Sequence, residues 1–181
     1  YNPRNPYSAS KAAIDHICSS FYSTYNLPII TIHFSNNFGP YQHDEKLIPT
    51  IIRNGIKGNK IPIYGSGRNI RDWMHVDDTY KAVEKVLKKG VIGEIYNFGG
   101  GNEISNIIIA KKICKILNKK LPNRKFDHTK LISFVQDRKG HDFRYSLNIS
   151  KVKKKLNWVP SYNFETNLEK VVDWYIERYS R

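Results

Sequence analysis

The stretch Tyr1-Asn2-Pro3-Arg4-Asn5-Pro6-Tyr7-Ser8-Ala9-Ser10-Lys11 decides how the rest of the 181-residue chain is read. Pro6 suits the first turn of a helix, where its missing N–H goes unused, and Asn5 before it is a good N-cap. Onward from Pro6, Ala9, Ala12, Ala13 and Ile17 predict a helix whose small-residue face can approach a sheet closely. Tyr7 and Lys11 then stand one turn apart on one face. A phenol ordinarily ionises near pH ~10, and an ammonium held beside it favours the phenolate, the form that acts as a base. The spacing alone is a weak signal. Twelve tyrosines and 30 basic residues produce such pairs by chance, as two solvated side chains.

The helix is expected to stop at Asn26-Leu27-Pro28. The apolar run Ile29-Ile30-Thr31-Ile32-His33-Phe34 then reads as a buried parallel strand. Helix, tight turn and buried strand make half of a βαβ unit, so the class is α/β. The strand runs into Ser35-Asn36-Asn37-Phe38-Gly39-Pro40. Ligands of open α/β sheets sit beyond the carboxyl ends of strands, where Asn36 and Asn37 offer amide donors and acceptors. An Asx-turn accounts for the same residues equally well. A second helix opens near Glu45-Lys46-Leu47 and runs to about Lys57. Ile61-Pro62-Ile63-Tyr64-Gly65 follows as a short strand that its proline confines to an edge.

Two later stretches carry chemistry. In Arg68-Asn69-Ile70-Arg71-Asp72-Trp73-Met74-His75-Val76-Asp77-Asp78, Arg71 precedes an aromatic-apolar strand, and Asp77 is the expected N-cap of a helix through Lys89. A guanidinium there is either a paired structural residue or a bidentate ligand for a diphosphate. His75, alone on a strand, reads as structural. Gln136-Asp137-Arg138-Lys139-Gly140-His141-Asp142-Phe143-Arg144-Tyr145 is a charged loop around a glycine. Between these stretches, Gly99-Gly100-Gly101 lacks the spacing of a phosphate-binding loop and reads as a tight strand-to-helix passage. Ile107 to Leu117 is helical. Ser150 is expected to cap a short basic helix, and Phe164 to Tyr179 to form an amphipathic closing helix.

The formal charge of +14 raises a nucleic-acid reading. The lysines fall in short runs late in helices or between elements, where cations complement the helix dipole and solvate well. No interleaving of aromatic and basic residues marks a single-strand platform, so a polynucleotide partner is not expected. No apolar run approaches the length of a membrane span. Cys18 and Cys114 lie far apart with no metal-ligand spacing, which predicts reduced core thiols, no metal site and a cytoplasmic protein.

Pro-Tyr-x-x-Ser-Lys at Pro6–Lys11, the Asn36-Asn37 pair, Arg71-Asp72-Trp73 with Val76 and Asp78, and Asp137-Arg138-x-Gly-His141-Asp142 with Arg144-Tyr145 together resemble the extended short-chain dehydrogenase/reductase family. Within it the likeness is nearest to the nucleotide-sugar 4,6-dehydratases. It spans essentially the whole chain, but only the second half of the family's length. The resemblance implies the C-terminal part of an NAD-binding, Rossmann-type doubly wound sheet plus a smaller α/β substrate-binding domain. Residues 1–37 and 67–100 would form the first and residues 38–66 and 101–181 the second.

It implies NAD as cofactor, Tyr7 as catalytic base, Lys11 beside it on the nicotinamide ribose, and Asn37 towards the dinucleotide. It places Asn36, Lys46, Leu47, Pro62, Ile63, Tyr64, Arg71, Asn106, Arg138 and His141 on a nucleotide sugar, dTDP-glucose or alternatively UDP-glucose. Lys139 stands where the family has proline, which loosens the loop without removing a ligand. The glycine-rich first turn of a dinucleotide site and the family's Thr-Asp-Glu acid/base segment are expected before Tyr1, so the chain reads as a fragment, inactive by itself. A homodimer is the family expectation. An epimerase sharing Tyr7 and Lys11, or a non-catalytic binding fragment, are the competing readings.

Overall fold

The computed structural model of the chain describes residues 2–180 apart from 123 and 125, so Tyr1 at the head of the opening stretch lies outside the described residues. Helix α1 runs Pro6–Tyr25 with Asn5 extended at its N-cap, and ends at Asn26 in the left-handed conformation, whose N–H donates to the Tyr22 carbonyl. Its rotation differs from the expected one. Ser8, Ala12, Asp15 and Cys18 are half-buried, whereas Ala9, Ala13 and Ile17 face outward. The Asp15 carboxylate pairs with His33 at 3.0 Å, which turns that stripe towards the neighbouring strand.

That strand is β1 (Thr31–Phe34), paired in parallel with β5 (Ile95–Phe98). All four of its residues are only half-buried, contrary to the fully buried strand that its apolar run predicts. The physical reason is that β5 is its single hydrogen-bonded neighbour among the described strands. Strand β2 (Asn36–Phe38) pairs in parallel with β4 (Ile70–His75), so the asparagine pair sits on a strand rather than in a turn. Strand β3 (Ile61–Tyr64) pairs in parallel with β7 (Ile132–Val135). β4 also takes β6 (Glu103–Ser105) antiparallel and β8 (Arg144–Tyr145) parallel. The remaining helices are α2 (Leu47–Lys57), α3 (Val76–Lys89), α4 (Asn106–Lys120), α5 (Ser150–Leu156) and α6 (Phe164–Ser180). The architecture is α/β, as the sequence predicts.

β4 is the wall between two cores. Successive strand residues point to opposite faces, and here Trp73 enters one core while Met74 enters the other. The first core joins α2, α4 and α6 over β3, with Ile48, Ile52, Ile113, Leu117, Leu168 and Val172 fully buried. Side chains of this size contribute about 1.5–3 kcal/mol each when taken from water. In the second core Met74, Ala82, Val86 and Phe98 meet Val152, Leu156 and Trp158. The expected division assigns residues 149–158 to the group of 38–66 and 101–181, whereas their apolar side chains pack against Met74, Ala82, Val86 and Phe98 of the other group.

Two caps also differ from expectation. α3 is capped by His75, not Asp77: the ring Nδ1 accepts from the Asp77 N–H at 3.3 Å, so the helix starts at Val76. Ser150 is the first residue of α5, and its N–H donates to the Asn148 side chain at 2.8 Å.

Candidate active site

Tyr7 projects from the first turn of α1 with 71% of its surface exposed. One turn on, the Lys11 Nζ lies 5.8 Å from the centre of its ring. Asn5 fixes this turn by accepting from the Ser8 N–H at 2.8 Å. The two side chains expected to do the chemistry are therefore adjacent and open.

Arg71 is the opposite case, 9% exposed on β4. Two of its N–H groups donate to carbonyls, Nη1 to Ile70 at 2.7 Å and Nη2 to Asp142 at 2.8 Å. Burial lowers its pKa first; Asp142 opposes this and the nearby charge of Arg138 reinforces it. A half-desolvated cation beside another cation is a place where an anion is favoured.

The loop that follows β7 supplies the second cation. Arg138 Nη2 donates to His141 Nε2 at 2.6 Å, and His141 Nδ1 donates to the Asp137 carboxylate at 2.7 Å. His141 is thus held as the tautomer that accepts from arginine. This bond holds the Asp137 carboxyl below its usual range. The Arg138 guanidinium lies 5.3 Å from the centre of the Tyr64 ring. The structure therefore brings Arg71, Arg138, His141 and Tyr64 together.

The loop is fastened to β4 by Asn69 donating to the Asp142 carbonyl at 3.2 Å and by the Ile70 N–H donating to the Phe143 carbonyl at 2.7 Å. β8 then lays Tyr145 opposite Arg71. Burial first, then the charges of Tyr7 and Asp142, push the Tyr145 phenol up. Tyr145 donates to the Phe34 carbonyl at 3.2 Å, which fastens it to the end of β1. A groove of about 300 Å³ runs there, lined by Ser8 and Ala12 on one side and Asp142, Arg144 and Tyr145 on the other.

The other candidates divide. Asn106 opens α4 with its Oδ1 buried and without a hydrogen-bond partner, next to the strand that carries Arg71, since its N–H donates to the Asn69 carbonyl at 3.1 Å. A buried acceptor of this kind is completed by a ligand donor or a water. Asn36 is half-buried on β2 opposite Trp73. Asn37 is mostly engaged: its Nδ2 donates to the Ser35 carbonyl at 3.1 Å and its Oδ1 accepts from the Thr79 hydroxyl.

Lys46 stands at the head of α2 and pairs with Glu45 at 3.4 Å, while Leu47 packs on the first core. Pro62 is half-buried and Tyr64 exposed, but Ile63 between them is 1% exposed and faces the core, as alternation along a strand requires. Its side chain is therefore not available to a ligand.

Several contributors escape a reading of motifs. Asp72, 2% exposed, accepts from the Gly100 N–H at 3.0 Å and the Asn102 N–H at 2.8 Å, which ties the glycine run to β4. A Cβ at Gly100 would lie 1.9 Å from the Trp73 carbonyl oxygen, so close passage is what this glycine serves. Asp78 accepts from the Ser161 and Tyr162 backbone N–H groups at 3.0 and 3.1 Å. Among the described residues no group of His, Cys, Asp and Glu could hold a metal ion, and no helix is long and apolar enough to cross a membrane.

Comparison with known proteins follows the same lines. The family described as GDP-mannose 4,6 dehydratase matches residues 1–171. A dTDP-glucose 4,6-dehydratase of Escherichia coli is 48% identical over 179 residues, covering 97% of this chain and 49% of that protein. The crystal structure of a dTDP-glucose 4,6-dehydratase of Bacillus anthracis in complex with NAD superposes with a TM-score of 0.88 at 44% identity, over 99% of this chain and 54% of the other. A Streptomyces venezuelae dTDP-glucose 4,6-dehydratase with NAD and TYD bound gives 0.89 at 39%, over 99% and 53%. The chain thus spans about half the length of the relatives it matches. With the motifs, the α/β architecture and these likenesses in agreement, the chain belongs to the GDP-mannose 4,6 dehydratase family, among the extended short-chain dehydrogenase/reductases.

Proposed function

We propose that this chain is the substrate-binding and proton-transferring part of an NAD-dependent nucleotide-sugar 4,6-dehydratase acting on dTDP-glucose. The observation that carries the reading is the meeting of two halves: an open Tyr7–Lys11 pair on α1, and a cluster of Arg71, Arg138 and His141 joined to it through Tyr145. Both solved relatives named above hold NAD, and the Streptomyces one holds TYD as well.

The residues present fit the cofactor. Tyr7 and Lys11 present an exposed phenol and ammonium of the kind that grips a ribose hydroxyl pair, and the Asn37 side chain, anchored by Ser35 and Thr79, keeps one amide hydrogen for it. NAD, when bound, supplies the hydride acceptor and donor. Tyr7 takes the proton of the sugar 4-hydroxyl as general base, with the Lys11 ammonium beside its ring. Arg71 and Arg138 hold the diphosphate, each with N–H groups left over from its contacts within the protein. The unpartnered Asn106 oxygen accepts from a substrate hydroxyl or N–H, and Asn36 faces the sugar. Tyr64, stacked with Arg138, offers its ring to the base, with Lys46, Leu47 and Pro62 at the rim. The resemblance assigns the acid and base for loss of water across C5–C6 to a Thr-Asp-Glu segment that this chain does not contain.

In this division of labour residues 1–37 and 67–100 serve the cofactor side and residues 38–66 and 101–181 the nucleotide sugar, with α5 of the second group packed into the core of the first. The working form is a cytoplasmic homodimer without a nucleic-acid or membrane partner. Three of the lysines in the late-helix runs are paired within the chain, Lys112 with Glu165, Lys120 with Asp173 and Glu169, and Lys119 with Glu169. Burial pushes the Cys114 thiol up to about 12, as suits a reduced core residue.

The test is turnover of dTDP-glucose and UDP-glucose by the full gene product with NAD, followed by the absorbance of the 4-keto sugar in alkali. Turnover that prefers dTDP-glucose supports the reading. Tight dTDP binding with no turnover of either sugar removes it in favour of a binding protein.

A further inference from the structure

The loop that bears Arg138 and His141 is long, exposed and held at its two ends: at one by the Gly65 N–H donating to the Val135 carbonyl at 2.9 Å, at the other by the bonds of Asp142 and Phe143 to β4. Its tip is held by something else. Asn5 Nδ2 donates to the Gly140 carbonyl at 3.2 Å, 135 residues away in sequence. The same amide uses its Oδ1 to cap the helix of Tyr7. One planar group therefore has one end on α1 and the other on the loop.

The glycine at the far end is built for the approach. Gly140 has φ +65, in the left-handed region, and a Cβ there would lie 2.7 Å from the Arg4 carbonyl oxygen. The chain before α1 and the loop tip thus touch backbone to backbone, with Asn5 as the bond between them.

We propose that Asn5 is a positioning residue for the reaction: it sets the distance between the diphosphate held by the loop and the phenol of Tyr7. This rests on the function proposed above. A sugar whose diphosphate is held on one element and whose 4-hydroxyl reacts on another is aligned only if the two elements keep a fixed separation. Proton transfer requires the hydroxyl within about 3 Å of its base, and a misplacement of about 1 Å can cost on the order of a hundredfold in rate. Asn5 touches neither substrate nor cofactor in this role. It makes the loop and α1 one rigid unit, so that nucleotide bound on the loop also orders the first turn of α1.

The two ends of the amide are separable. Asn5→Ser keeps a side chain that caps a helix but cannot span to Gly140. Asn5→Asp keeps the cap and places a carboxylate oxygen against the Gly140 carbonyl, where a donor is needed. In the full gene product, both variants should keep the wild-type Tm within a few degrees and bind dTDP within about threefold, since dTDP engages the loop, Arg71 and Tyr64 but not α1. Their kcat should fall by about tenfold or more, with KM less affected. Hydrogen exchange gives a readout that needs no turnover. Adding dTDP to the wild type should slow exchange both in residues 137–142 and in residues 7–11; in Asn5→Ser it should slow only the loop.

Wild-type kcat in both variants, or the same protection of residues 7–11 with and without Asn5, overturns the proposal. So does a parallel loss of Tm, dTDP binding and kcat, which would make Asn5 a folding residue only. Absence of turnover in the wild type itself counts against the proposed function, while the exchange comparison still decides the coupling.

Discussion

The two halves of the site are built in opposite ways. Around Tyr7 no residue of α1 is buried, and the helix relies on its own cap and a thin stripe of contacts. Around Arg71 the side chain is taken from water and bonded to carbonyls on two elements. Such an arrangement separates tasks. A group that must change protonation stays open on a local scaffold, and a group that must stay charged and aimed is fixed by long-range bonds. Substitutions on the two sides should therefore fail differently.

The largest effect is expected at Tyr7. Tyr7→Phe should lower turnover of the full gene product by at least about a hundredfold, the scale of a lost general base, with Tm unchanged because the side chain is largely exposed. A fall in Tm that matched the wild type's loss on deleting a core residue would break the comparison from this side.

Next comes Arg71→Met, which should weaken dTDP binding by about tenfold or more and also destabilise the fold. It removes the bonds from Arg71 to the Ile70 carbonyl and to the Asp142 carbonyl, which keeps its bond from Asn69, at about 1–3 kcal/mol for charged hydrogen bonds lost. Calorimetry and thermal unfolding together check it. Loss of binding without loss of stability would mean that the arginine is not anchored as described.

Arg138→Ala sharpens the same contrast within the nucleotide half. Its side chain is exposed and lies in a surface loop, so dTDP affinity should fall by about three- to tenfold while Tm stays constant. His141→Gln, which keeps an acceptor for Arg138, should cost less than His141→Leu.

The smallest effect is a pH dependence of stability away from the reacting groups. His128 and His75 are both buried, and burial is the first cause lowering the pKa of each; Arg124 also lowers that of His128 and Lys170 that of His75, against Asp127, Asp77 and Asp78. A base whose pKa is depressed on folding binds its proton more readily unfolded. Stability is then full above the unfolded value of about 6.5, and it declines as pH falls from there through the lower folded values. Urea unfolding at pH 7.5 and 5.5 should show the decline, and His128→Gln should reduce it.

How much of this is legible in the sequence depends on how local the cause is. Asn5, Pro6 and the Tyr7–Lys11 spacing declare α1 because cap, first turn and helical period lie within a dozen residues. The phrases around Arg71 and Arg138 declare a ligand site by resemblance. What stays hidden is set by partners far along the chain. The strand Ile132–Val135 has a partner about 70 residues earlier, and nothing in its four residues announces the pairing. Asp72 and Asp78 look like surface charge until the Gly100 and Ser161 amides are placed against them. The rotation of α1 is not legible in its alanines, because an alanine stripe is only a permissive signal, whereas the Asp15–His33 pair joins the other stripe to β1. Ile63 shows the converse: resemblance placed it on the ligand, and simple strand alternation buries it.

The crossing of α5 into the second core has a consequence for how the protein is made. That core closes only when Val152, Leu156 and Trp158 arrive, and the first closes only with Phe164, Leu168 and Val172. On a ribosome, which releases a chain from its N-terminus, neither core can be completed in order. Tyr7, among the first residues to emerge from this stretch, waits for nearly all of the rest before it has a floor to stand on.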